Sequence, residues 1–173
     1  MEGKDYGMGF VTFIKNIEYT KDPMKKEDLP ENGIFIFASN TFGEHNSGSA
    51  KFAFEELEAE WGVGEGLTGR TYAFPTLNYS NTKYKQNIEL FQGIDNKISI
   101  EQLSISWNKL IKCIEEKPDK KFYLTKIGLG IAGFDLFTIH KSFWDSGIPF
   151  LFNKSRFVYP IDLEMPDDCI KNW

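Results

Sequence analysis

The sequence predicts an α/β domain whose mixed, mostly parallel sheet is covered on both faces by helices. Short apolar runs bounded by turn residues, IFIFAS (34–39) and the Phe122, Tyr123, Leu124, Ile127 run, read as strands with no wet face. Between them fall stretches whose apolar residues recur at helical spacing. The chain has 173 residues, the size of one domain, and a domain of that size buries about 70% of its unfolded surface.

In order along the chain, residues 1–9 are a glycine-rich, polar lead-in, and 10–152 form the domain. FVTFIKNIEY (10–19) has strand propensity. KDPMKKEDLPENG (21–33) gathers charges, two prolines and a glycine, the composition of a surface connection. The strand IFIFAS then runs into the polar loop NTFGEHNSGS (40–49). Ala50, Ala53, Phe54 and Leu57 fall at i, i+3, i+4 and i+7 and predict a helix. GVGEGL (62–67) breaks it, and RTYAFPT (70–76) reads as a strand ended by Pro75. Residues 77–98 read as a surface excursion rich in Asn, Lys and Tyr. Ser99, with Gln102 three residues on, makes a capping box ahead of the face Leu103, Trp107, Leu110, Ile111, Ile114. That helix ends before Pro118. The strand through Ile127 leads into a glycine loop, and a helix starts near Asp135. IPFLF (148–152) reads as a last strand, and 153–173 as an irregular tail.

A formal charge of −5 argues against broad binding of nucleic acid, which calls for a basic face. Cys113 and Cys169 stand far apart without a CxxC pair and read as free thiols in a reducing compartment. The N-terminus lacks an apolar signal segment and no run of eighteen apolar residues exists, so the expectation is a cytoplasmic protein with no membrane partner. Two histidines and two separated cysteines give no metal-ligand spacing, and no organic cofactor is expected. No G-x-S-x-G elbow anchors a hydrolase triad, and no Gly-Lys-Ser/Thr follows a glycine loop. Glu55, Glu56, Glu58 and Glu60 read as a solvated helix face.

Two loops carry the functional reading. Residues 128–133, GLGIAG, satisfy G-x-G-x-x-G between a strand and a helix. A dinucleotide domain also needs an acidic residue about twenty positions on. That place holds Asn153, and forty residues cannot complete such a domain, so a NAD dehydrogenase is excluded. A backbone cradle for phosphate remains, with the first N–H groups of the following helix pointing at the anion. The alternative is a tight turn with no ligand. Gly128, Leu129, Gly130, Ile131, Ala132, Gly133 and Phe134 are the candidate ligand-binding residues here. In the other loop they are Asn40, Gly43, His45, Ser47, Gly48 and Ser49, because Asn and Ser at a strand's carboxyl end suit ribose hydroxyls and base edges. Asn40 could equally satisfy loop backbone groups. His45 could act as a general base, since an unperturbed histidine titrates near neutrality, although a lone loop histidine more often hydrogen-bonds or stacks. His140 reads as structural.

These residues carry a resemblance. IFIFASN (34–40), the loop to Gly48, Ala50 opening a helix, GRTYAFPT (69–76) and KIGLGIAGFD (126–135) come in the order found in macro-domain proteins. The pattern is most similar to short phage and bacterial macro-like proteins, over about residues 29–152. The resemblance implies a three-layer α/β/α fold that binds ADP-ribose. It implies Asn40 near the distal ribose, Gly48 and its neighbours in a first phosphate loop, and Ile127–Gly133 in a second. Macro-type hydrolases carry an Asp just after the second glycine segment. Here Ala132 holds that place, with Asp135 three residues on, and their lysine has no counterpart near Leu67–Thr68. Three readings follow. The first is a domain that captures ADP-ribose or a related, even cyclic, nucleotide, which in a phage would sequester a nucleotide signal in the host cytoplasm. The second is a hydrolase of ADP-ribosyl or nucleotide substrates with Asp135, His45 or Glu44 as acid or base. The third is a protein-interaction domain whose glycine loops are only turns. A homo-oligomer is compatible with each.

Overall fold

The computed structural model describes residues 18–78, 96–152 and 155–164. Its centre is β1 (Gly33–Asn40), which pairs in parallel with β3 (Thr71–Leu77) on one side and β4 (Lys121–Leu124) on the other. The short β2 (Gly66–Thr68) adds to β3 antiparallel, and β5 (Phe157–Val158) adds to β4 in parallel. The order is β2-β3-β1-β4-β5, a mixed, mostly parallel sheet in an α/β fold.

Side-chain alternation along the strands sorts the core into two clusters, one per face. Ile34, Ile36, Tyr72, Phe74, Phe122 and Leu124 pack against α2 (Ile100–Glu116) and α3 (Leu136–Ser146). Phe35, Phe37, Ala73, Tyr123 and Val158 pack against α1 (Gly48–Glu56) on the opposite face. Trp107 anchors the larger cluster. It is 1% exposed, 4.4 Å from Phe74 and 5.5 Å from Phe143 between ring centres, and its Nε1–H donates to Ser142 Oγ at 2.7 Å. Truncating such a residue to alanine costs about 3–5 kcal/mol.

Local signals fix the helix ends. Ser99 Oγ accepts from Gln102 N–H at 3.1 Å, as its position ahead of α2 predicts. The carboxyl end of α2 is held from far away in sequence. Arg156 donates to the carbonyls of Ile114, Lys117 (3.0 Å) and Lys120 (3.1 Å), tying the last turn of the helix to the turn that follows it.

The structure corrects several expectations. IPFLF is not a strand: Ile148–Leu151 is the single-turn helix α4, with Pro149 in its first turn, where a missing N–H does no harm. The edge strand is instead β5, inside the segment expected to be an irregular tail, with Phe157 and Val158 fully covered. Pro75 does not end β3, which continues to Leu77. The proline lies opposite Ser39, next to a register shift, where the ladder can do without a donor. β2 emerges from the stretch that reads as a plain break. Phe54, expected on the buried stripe of α1, is 42% exposed. The strand expected over 10–19 lies outside the described residues except for its end, where Tyr19 bridges Tyr159 in parallel. The excursion 79–95, the lead-in, Asn153 and Cys169 lie outside them too. Among the described residues, no helix is long and apolar enough to cross a membrane.

Candidate functional site

β1 and β4 are parallel neighbours, yet the chain leaves their carboxyl ends toward opposite faces: β1 leads to α1, and β4 leads to α3. Such a divergence opens a crevice at the edge of an α/β sheet. A cavity of about 180 Å³ lies there, walled by residues 38–40 at the end of β1, by Glu44 and residues 46–50 beyond it, by Thr76 and Leu77 at the end of β3, and by Lys126, Gly128 and residues 130–132 after β4. The two glycine-bearing loops, eighty residues apart in sequence, therefore face one space.

Several residues on these walls carry backbone N–H groups without a partner. Ser47 makes no side-chain cap on α1, and the first donor of that helix with a partner is Lys51 N–H, which reaches Ser47 O at 3.1 Å. The N–H groups of Gly48, Ser49 and Ala50 are left open at the positive end of the helix. In the second loop, Ile127, Leu129, Gly133 and Phe134 donate within the loop or to Thr125, while Gly128, Gly130, Ile131 and Ala132 have no backbone acceptor. Those four, with the three of α1, are residues that line the cavity.

The helix expected to point at an anion is thus the wrong one. Asp135 caps α3 itself, accepting from Thr138 N–H at 2.8 Å and from Thr138 Oγ1 at 2.6 Å. The Thr138 hydroxyl and N–H together hold the Asp135 carboxyl below its ordinary pKa. The helix start that borders the cavity is that of α1, across the crevice, whereas residues 135–137 do not line it.

Of the candidate residues, Asn40, Ser47, Gly48, Ser49, Gly128, Gly130, Ile131 and Ala132 line the cavity, together with Glu44 and Asn46. Gly43, His45, Leu129, Gly133, Phe134 and Asp135 do not. Asn40 lines the wall, but its side chain is engaged in the loop. Its Oδ1 accepts from Phe42 and Glu44 N–H, both at 3.1 Å, and its Nδ2 donates to Glu44 O at 3.0 Å. Gly43 has φ +69°, and a Cβ there would stand 2.3 Å from the Gly62 carbonyl carbon, so only glycine lets the segments at 40–43 and 62–64 close on each other. His45 is 2% exposed beneath the loop, edge-on to Phe37 and Trp61, with Nε2 donating to Glu60 O at 2.9 Å. Burial pushes its pKa down, opposed by that hydrogen bond. It is a packing histidine that shapes the loop from behind. His140 likewise bonds Glu164 O at 2.9 Å.

Sequence reasoning missed Lys126. It lines the cavity directly ahead of the glycines, and its ammonium lies 2.9 Å from Asp22 and 3.0 Å from Asp162. Those hydrogen bonds, Asp22 first, raise its pKa. The only signal was a basic residue preceding the glycine motif. Gly48, Ser49 and Lys126 also border a second cavity of about 410 Å³, whose walls include Phe35, Phe52, Met24, Pro23 and Pro160 with Thr20 and Asp22. The smaller hollow, bordered by both loops, thus adjoins a larger one.

A hollow of about 540 Å³ between α2 and α3 is lined by helix side chains, including Trp107, Phe137, Lys141 and Asp145, and offers no such row of backbone donors. Among the described residues, no group of three or more His, Cys, Asp or Glu side chains could hold a metal ion.

Comparison with protein-family models, curated proteins and solved structures finds no match. The functional reading therefore stands on the crevice alone.

Proposed function

We propose that the crevice captures a nucleotide of the ADP-ribose kind, with phosphate against the open end of α1 and the glycine loop, and the base in the adjoining larger cavity. The observation that carries this reading is that residues with unpartnered N–H groups, Gly48–Ala50 on one side and Gly128, Gly130, Ile131 and Ala132 on the other, border one hollow. Hydrogen bonds to a charged acceptor contribute about 1.5–3 kcal/mol each, roughly twice a neutral one. The smaller cavity has room for a phosphate or diphosphate, and the larger for a planar base over Phe52 and Met24. The resemblance to macro-domain proteins agrees with this arrangement, except that the Asn40 amide is already engaged and a ribose would meet the loop backbone instead.

Capture is favoured over hydrolysis because His45 and Asp135 both lie off the cavity, leaving Glu44 as its one carboxylate. The test is a thermal-shift panel of ADP-ribose, NAD, AMP and cyclic AMP, followed by chromatography of the incubated ligand. A ligand at a hundred times its dissociation constant adds about 2.7 kcal/mol, which for a chain of this length raises the melting temperature by about 5–10 °C. No shift with any of them sinks the nucleotide reading, and a product peak replaces capture with turnover.

A further inference from the structure

The crevice borders carry charge as well as N–H groups, and every lysine among them arrives already paired. Lys126, at the seam of the two cavities, is held between Asp22 and Asp162 at 2.9 and 3.0 Å. Lys21, on the wall of the larger cavity, lies 3.0 Å from Asp28. Around the seam, among the described residues, one ammonium therefore stands against two carboxylates. The helix end returns only about half a positive charge.

An anion entering this place gains hydrogen bonds that depend little on its total charge, but it meets a repulsion that grows with that charge. A phosphodiester, or a pyrophosphate esterified at both ends, carries one negative charge per phosphorus. A terminal phosphate monoester carries about −1.5 to −2 at neutral pH. Resting on the nucleotide reading above, we infer that Asp22 and Asp162, by holding Lys126, make the crevice select internally esterified phosphates over terminal ones. Without these two carboxylates, Lys126 would be a free cation at the phosphate, and terminal phosphates would be the better ligands. The side chains concerned are partly open to solvent, at 61% for Asp22, 36% for Asp162 and 44% for Lys126, so the selection is graded and screened by salt.

The experiment is calorimetric titration of the full chain with cyclic AMP and ADP-ribose against AMP and ADP, at low salt, for the wild type, Asp22→Asn and Asp162→Asn. The two substitutions lie in separate segments, so either one that melts like the wild type suffices. The wild type should prefer cyclic AMP over AMP, and ADP-ribose over ADP, by about fivefold, and each substitution should cut those preferences at least twofold by improving AMP and ADP. A wild-type salt series reads the same property without a variant, since the preference should shrink as salt rises. If AMP and ADP bind the wild type as tightly as the others, or the preference is untouched by both substitutions and by salt, the selection is overturned while nucleotide binding stands. If none of the four binds, the nucleotide reading itself falls, and the selection with it.

Discussion

Replacing Gly43 and Gly48 by alanine, one at a time, separates the loop's architecture from its ligand contact. At Gly43 the added carbon would lie 2.3 Å from Gly62 C and 2.4 Å from Val63 N, both backbone atoms that cannot swing aside, and φ is +69°. The segments must part, with loss of the bonds from Gly62 N–H to Gly43 O (2.9 Å) and from Gly43 N–H to Asn40 O (3.0 Å). Left-handed strain of about 1 kcal/mol and two hydrogen bonds of about 1 kcal/mol each give a loss of about 3 kcal/mol. For a chain of this size that lowers the melting temperature by about 6–12 °C. Gly48 also has a positive φ, +57°, but its added carbon meets nothing within 4 Å. Only the strain applies, about 1 kcal/mol and a few degrees. Yet Gly48 borders both cavities, so its methyl competes with the ligand, and affinity should fall about tenfold or more. Differential scanning fluorimetry and titration calorimetry on the two variants decide the matter. A Gly43→Ala protein that melts within two degrees or so of the wild type refutes the close-approach argument, and a Gly48→Ala protein that binds normally removes the phosphate from the end of α1.

Three further outcomes follow from the same geometry. Asp135→Asn should lower the melting temperature without touching nucleotide affinity. Because the folded-state carboxyl pKa is depressed, the stability it contributes is present above about pH 4 and is lost as pH falls through the folded value, so the two proteins should converge in acid. His45→Phe should flatten the pH dependence of stability below about pH 6.5. Burial lowers the folded-state pKa of His45, so the unfolded chain takes up a proton that the folded one refuses and stability drops as pH falls; equal slopes in urea titrations of the two proteins would contradict this. Arg156→Ala, by uncovering the carbonyls at the end of α2, should cost about 2 kcal/mol in urea unfolding, and an unchanged midpoint would show that water replaces the guanidinium without loss.

The strands at 33–40 and 121–124 and the helices α2 and α3 were legible because each is long enough, or apolar enough, for its period to show. Ser99 and Asp135 announced their helices by residue type alone. β5 was not legible, since two residues have no period, and Phe157–Val158 becomes a strand only because β4 presents an unpaired edge. IPFLF misled for the opposite reason: five apolar residues fit a buried strand or a helix equally, and Pro149 decided for the helix. At the site, the sequence pointed to the residues that bring glycine and small polar groups to the strand ends. It could not say which N–H groups remain open. That depends on Asp135 turning back to cap α3 and on Ser47 failing to cap α1, and both are matters of rotamer and loop path. Gly43 and His45 sit in the right loop for a different task, packing it against 60–63, which no local pattern distinguishes from ligand contact. Lys126 belongs to no motif, and its partners come from residues 104 positions before and 36 after it.

The bridge between Tyr19 and Tyr159, and the Lys126 grip on Asp22 and Asp162, join the two far reaches of the described chain at one wall of the larger cavity. On a ribosome, both glycine turns would emerge while that wall still lacked Pro160 and the residues that pin it. The larger hollow can close only after the last of these residues has left the exit tunnel, so a released chain cut short near residue 150 should lack this wall and bind the proposed ligand far more weakly than the full chain.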